Sequence, residues 1–421
     1  MSGPSRLSLG ALFLAGAVAA ALVSPGGALA QPKPPKPGDV EMGLIAPLSG
    51  PWARQGYLLR AGAEMAIDDI NKAGGIKALG GADMKLIVAD AGDTPEKAKN
   101  AAQRLVSQYP GLVAGEGAWL SSFTLAVTEV TERAHLPWLT LSYSDAITNR
   151  GFHYVFQTSL PGNEQAQQAL PAVVALAQSA SGARPETVAI IQDNTAAPMS
   201  FVEPMLKGGL AKAGIKLVAH ETFTPPLSDA TPIVQSVRTA HPDFLFDIVS
   251  SVPDNALILE QLAEMGLSHA RLPVVGNGTP LVTPELLKIT GKDIVDGAIT
   301  AVANWPTKGD ERLVAEFRKR TGEPWMTQDS LCGYGQVMIV AAALEKTGST
   351  DREKINAAIH AMDTTTGPAR YFPGASLKFD ANGRRIGAPL ILVQWQNGEP
   401  VMVAPAQFAV AKAIWPKHPT N

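Results

Sequence analysis

Strand-like and helix-like segments alternate along most of this chain, and that alternation restricts its fold more than any other feature. Residues 40–45 read as a strand, and residues 57–72 have helical spacing with Leu59, Ala63, Ala66, Ile67 and Ile70 on one face. Residues 84–89 are strand-like. Residues 95–108 predict a helix with Thr94 as N-cap and Pro95 in its first turn. A short strand at 112–114, a helix at 122–135 and a strand at 137–141 follow. The order then repeats: helix 164–178, strand 187–191, helix 199–213, strand 215–219, helix 231–239, strand 244–249, helix 255–265 and strand 273–275. Alternation of this kind predicts parallel sheets covered by helices, an α/β class. Two runs of similar length predict two similar lobes. The tail changes character. Residues 330–346 and 351–362 look helical, and 377–379, 390–396 and 401–403 look like a small antiparallel set with Asn397-Gly398 as a hairpin turn.

The N-terminus has the form of an export signal. Arg6 gives a short positive start, residues 7–23 are apolar and uncharged, Pro25-Gly26-Gly27 breaks the run, and Ala28-Leu29-Ala30 is a small-x-small cleavage site. The apolar run is short for a membrane span, which needs roughly 20 residues. The expectation is a signal peptide over 1–30, a mature start at Gln31 and a Pro-rich leader over 31–38. No cysteine stands at the cleavage point, so a soluble periplasmic protein is expected rather than a lipid-anchored one. The only cysteine is Cys332, which leaves no internal disulfide. The formal charge is −3, and it becomes −4 without residues 1–30, which hold Arg6 and no acid. That balance argues against nucleic acid and anionic membrane as partners.

Several segments, in order, resemble one known family. They are GLIAPLSGPWARQG at 43–56, GAEMAIDDINKAGGI at 62–76, DAGDTPEKA at 90–98, LSSFT at 120–124, LTLSYSDAITNRG at 139–151, DNALILEQLAEMGL at 254–267 and LKFDANG at 377–383. The chain resembles the leucine/isoleucine/valine-binding family of type I periplasmic solute-binding proteins, which serve ABC importers. The resemblance runs from about residue 40 to about residue 405. It implies two Rossmann-like lobes with parallel sheets, three crossovers and a ligand cleft between the lobes. The crossovers are expected near Leu160, Thr300 and Gly367. The first lobe would then be 39–160 plus 301–366, the second 161–300 plus 367–405, with 406–421 as a tail.

The resemblance also implies a function: capture of a small carboxylate, amide or amino-acid-like solute by hinge closure and its delivery to a membrane permease. A ligand-sensing domain of the same fold, regulating a partner protein, is the alternative, and the export signal favours transport. Ser121 and Ser122 precede a helical run, where free N–H groups attract an anion. A Ser N-cap is the plain structural role for the same pair. Ser142 and Ser144 follow a strand end, where ligands gather in such sheets. Tyr143 lies between them. Trp52 offers an aromatic wall and Arg54 a carboxylate clamp. Trp119 and Trp305 are further aromatic candidates, with buried core as the plain structural role of each.

Three family features are absent. Tyrosines expected near 193–198 and 250–253 are replaced by DNTAAP and SSVP. A glutamate that would hold an α-ammonium is replaced by GNGT at 276–279. Asp247, Asp145 and Glu116 are the candidate replacements for its charge. Catalysis finds little support: there is no P-loop, no G-x-S-x-G and no H-x-x-x-H spacing, and neither a metal nor a cofactor is expected. Cys332 falls inside a helical segment, where burial is its plain role.

Overall fold

The computed structural model describes residues 38–268 and 271–416. The signal peptide, nearly all of the Pro-rich leader and the last residues of the tail lie outside the described residues.

Two sheets organise the chain. The first holds β1 (Val40–Ala46), β2 (Met84–Asp90), β3 (Ala114–Gly117), β4 (Trp138–Thr140) and β5 (Val155–Gln157) in the order β2-β1-β3-β4-β5, with every pairing parallel. The second holds β6 (Thr187–Asp193), β7 (Lys216–Phe223), β8 (Phe244–Ile248), β9 (Val274–Asn277) and β10 (Ile299–Val302). Its parallel part runs β10-β9-β8-β6-β7, which is the same winding read from the other end. In such sheets the crevice beyond the strands' carboxyl ends, where the winding reverses, is the natural place for a ligand.

The sequence builds these sheets by burying both faces. In β6, Val188 and Ile190 join one apolar cluster while Ala189 and Ile191 join the other. In β8, Phe244 and Phe246 face the first of these and Leu245 the second. Period-2 alternation thus divides apolar residues between two covered faces, as parallel sheets require. The first sheet shares one core with the helices at Ala53–Lys72 and Gln328–Thr347. Those two helices approach at glycines. A Cβ on Gly62 would stand 1.9 Å from the Ser330 carbonyl oxygen, and one on Gly333 would stand 2.4 Å from that of Leu59.

The helix at Pro95–Gln108 begins as expected, with Thr94 Oγ1 accepting from Lys97 N at 3.2 Å. Elsewhere the structure departs from expectation. The strand expected at 112–114 lies at Ala114–Gly117, because its glycines let Trp138 lie flat on it: a Cβ on Gly115 would meet Trp138 Cζ3 at 2.3 Å. The helix expected at 199–213 begins at Ala196 and breaks after Pro204, where Lys207 and Gly208 leave helical geometry. The strand β10 and the helix Glu311–Thr321 are not among the elements expected from the sequence, although Glu311 in the first turn and Gly322 at the C-cap mark the helix.

The tail forms β11 (Asp363–Thr364), β12 (Leu377–Lys378), β13 (Ile391–Gln396) and β14 (Glu399–Ala404). Asn397 and Gly398 have φ of 57° and 79°, the two left-handed residues of a type I′ hairpin joining β13 to β14. That hairpin extends the second sheet through antiparallel pairing with β10. The segment 377–379 does not join it, since β12 pairs with β11.

The chain crosses between the two cores at a small apolar cluster of Tyr143, Leu160, Ala303 and Ala388. The third crossing was expected near Gly367. It lies near Ala388 instead, because Ala369, Tyr371, Phe372, Leu377 and Phe379 are buried in the core of the first sheet.

Candidate functional site

Backbone geometry decides where the loop after β3 points. Gly117, Ala118 and Trp119 take φ of 106°, 65° and 50° in succession. Only glycine adopts that region freely, so the two side-chain-bearing residues store strain. The reversal aims the start of the helix Ser121–Arg133 at the carboxyl ends of the second sheet. Phe123 and Thr124 N–H both bond to the Leu120 carbonyl, so Ser121 and Ser122 N–H remain as the open donors of the first turn.

A cavity of about 50 Å³ lies there. On the first sheet's side it is lined by Trp119, Leu120, Ser121, Leu141, Ser142 and Tyr143, with Gln328 from the Gln328–Thr347 helix. On the other side stand Ala197, Pro198, Val249, Ser250 and the loop at 277–280. None of these residues is charged.

Ser121 is 1% exposed, and its Oγ accepts from Tyr143 N at 3.1 Å and Ser144 N at 3.0 Å. With its oxygen occupied, the hydroxyl keeps its proton to give. Ser122 is half-buried beside it and does not line the cavity. Ser142 donates to the Trp119 carbonyl at 2.6 Å and lies 2.6 Å from Thr124 Oγ1, so its hydroxyl secures the loop. Tyr143 donates to Gln328 Oε1 at 2.8 Å, the same atom that receives Ala303 N at 2.7 Å. Ser144 caps the short turn Asp145–Ile147 and receives Ser200 Oγ at 3.2 Å from the second core.

The other sequence candidates stand away from the cavity. Trp52 is buried in the first core, edge-on to Phe123 at 5.6 Å. Arg54 is an interlobe clasp: it pairs with Glu285 at 2.7 Å and with Glu323. Trp305 belongs to a core of the second sheet. Asp145 accepts from Asn163 N at 3.1 Å. Glu116 is fully buried on β3, and burial pushes its carboxyl well above the usual range. Asp247 is 1% exposed on β8, and neither of its oxygens has a partner. Burial, with Asp193 and Asp254 nearby, pushes its pKa up to about 8.

Sequence reasoning missed the second-sheet wall as a set of contacts. Its signal was nevertheless present: Ala197–Pro198, Ser250 and Asn277–Thr279 fall in the three segments that depart from the family pattern. Trp119 is both buried and a wall. Its Nε1 donates to Asp329 Oδ1 at 2.9 Å, and Asp329 Oδ2 receives Thr279 Oγ1 at 2.7 Å from the opposite side. Asp329 therefore joins the two walls from behind them. Burial raises its pKa to about 6.

A family model described as periplasmic binding protein matches residues 39–400. The chain is 28% identical over 396 residues to Leu/Ile/Val-binding protein homolog 7 of Brucella melitensis, covering 91% of this chain and 96% of that protein. Its fold resembles that of a leucine binding protein from Thermotoga maritima, with a TM-score of 0.73 at 20% identity over 87% of this chain and 98% of that one. It also resembles an ABC transporter solute binding protein from R. palustris in complex with benzoate, with a TM-score of 0.74 at 19% identity over 90% of this chain and 99% of that one.

Proposed function

Since this chain belongs to the periplasmic binding protein family, we propose that it captures a small carboxylate outside the cytoplasm and delivers it to the permease of an ABC importer. Members of this family bind solutes without transforming them. The observation that carries the ligand class is the charge balance of the cavity wall. One side supplies the open Ser121 N–H at a helix start and the Ser121 hydroxyl, donors suited to a carboxylate. The other side supplies no acid.

An α-amino acid brings an ammonium as well, and a buried ammonium needs a counter-charge or several acceptors. Asp247, Asp145 and Glu116 do not line the cavity. Asp329 lies behind the wall with both oxygens engaged. A carboxylate without an ammonium therefore fits better than leucine, isoleucine or valine. Trp119 and Tyr143 provide flat walls for a ring. The benzoate complex shows that a related fold holds such an anion.

Contacts across the cleft support capture by closure. Thr279 reaches Asp329, Ser200 reaches Ser144, and Arg54 reaches Glu285. Ligand that engages both walls favours the arrangement in which these contacts exist. Titration calorimetry with leucine, isoleucine, valine, benzoate and short amides tests the reading. Binding of a carboxylate lacking an ammonium, with recovery of the ligand unaltered, is the expected result. Tight leucine binding with no response to any non-amino acid would overturn it.

A further inference from the structure

The second wall of the cavity holds a polar pair that a simple carboxylate does not use. Ser250 is 7% exposed and lines the cavity, and its Oγ has no hydrogen-bond partner. Its backbone is fixed, since Ser250 N donates to Asp193 Oδ2 at 2.6 Å. The neighbouring Ser251 provides the cap for the following helix, so Ser250 Oγ is not needed for that purpose. Asn277 lies at the end of the adjacent parallel strand, where Asp247 of β8 stands beside Gly276 of β9. Its Nδ2 donates to Gln165 Oε1 at 2.7 Å and to the Ala301 carbonyl at 3.3 Å. The amide is thereby oriented, and Oδ1 is its remaining polar atom. Ala197, Pro198, Val249 and Pro280 make the rest of this wall apolar.

A buried hydroxyl without a partner is costly, and native structures seldom leave one unexplained. The chemistry of the pair selects what would satisfy it. Ser250 can donate or accept, while Asn277 Oδ1 can only accept. A second carboxylate would face the Asn277 oxygen with no proton to give. An ammonium could donate to both oxygens but would find no counter-charge among the lining residues. A neutral hydroxyl can donate to one and accept from the other.

We infer that the solute is a hydroxy-carboxylate whose distal hydroxyl is received by Ser250 and Asn277 while its carboxylate sits at the start of the Ser121–Arg133 helix. This deepens the carboxylate reading and rests on it. A site built to hydrogen-bond a hydroxyl discriminates strongly against the analogue that lacks it.

The test is titration calorimetry of the full chain with benzoate, 3-hydroxybenzoate and 4-hydroxybenzoate, on the wild type and on Ser250→Ala. One of the hydroxylated acids is expected to bind the wild type at least about tenfold more tightly than benzoate, the size of one well-made hydrogen bond. Ser250→Ala should erase most of that preference, because the hydroxylated acid loses more affinity than benzoate does. Benzoate binding as tightly as both hydroxybenzoates would overturn the inference and leave the carboxylate reading intact. So would a preference that survives Ser250→Ala. Binding by none of the three acids would instead remove the carboxylate reading, and this inference with it.

Discussion

Replacing Asp247 by Asn should make the protein's stability respond differently to pH. Asp247 is buried on β8 with both oxygens unpartnered, and desolvation is the main reason that its pKa rises from 3.8 to about 8. The negative fields of Asp193 and Asp254 add to it. Between those values the folded state holds a proton that the unfolded chain has released. The stability linked to this group is therefore fully present below about pH 4 and is lost as pH rises to about 8. A single group of this kind costs about 1.4 kcal/mol per pH unit across that window. Asn has nearly the same shape and no proton to lose. The stability of Asp247→Asn relative to wild type should thus climb by about 3 kcal/mol from pH 5 to pH 7 and level off above pH 8. Urea denaturation of both proteins at a series of pH values measures this. A stability difference that stays constant from pH 5 to pH 7 would show that Asp247 ionises normally, and the argument from its burial would fail.

Ser121→Ala should weaken carboxylate binding by about 0.5–1.5 kcal/mol for an ordinary hydrogen bond, and by up to about 3 for one to a charge; calorimetry that finds no loss would leave Ser121 only its role in holding Tyr143 N and Ser144 N. Gly62→Ala should cost about 2 kcal/mol or more in urea denaturation, because its Cβ would press on the Ser330 carbonyl oxygen and separate two helices; a more stable variant would contradict the close approach. A double-mutant cycle on Arg54 and Glu285, whose side chains are 19% and 38% exposed, should give a coupling of only about 0.2–1 kcal/mol, since both side chains keep part of their surface in water; a coupling of several kcal/mol would mark it as the main lock of the closed form.

What the sequence discloses here follows from how local each feature is. The Thr94–Pro95 helix start and the Asn397-Gly398 hairpin are written in two or three adjacent residues, and both are read without error. The βα rhythm is a pattern over tens of residues and carries both sheets. β3 escapes because its sequence, AGEG, has no strand propensity of its own; Trp138 from the neighbouring strand makes those glycines suitable. The third crossing escapes because only the burial of Phe372 and Phe379 in a distant core fixes it. At the site, Ser121, Ser142 and Tyr143 are legible from their position at a helix start and after a strand, although the helix takes in Ser121 and leaves Leu120 as its N-cap. Trp52 is not, since an aromatic residue in a loop after a strand can turn either outward or, as here, onto Phe123. The second wall is legible only as what it lacks.

The pairing of the Ala53–Lys72 and Gln328–Thr347 helices bears on the order in which the chain acquires structure. The glycines at their contact, Gly62 and Gly333, are 271 residues apart in sequence. A growing chain therefore carries the first helix, with its apolar face uncovered, through the synthesis of the whole second sheet's parallel strands. Contacts of such long span close late and slowly. The second sheet's parallel strands have no such wait, although the sheet gains its β13–β14 hairpin only at the end. Any fragment that ends before residue 328 lacks the partner of its first helix, so the first core is a property of the nearly finished chain.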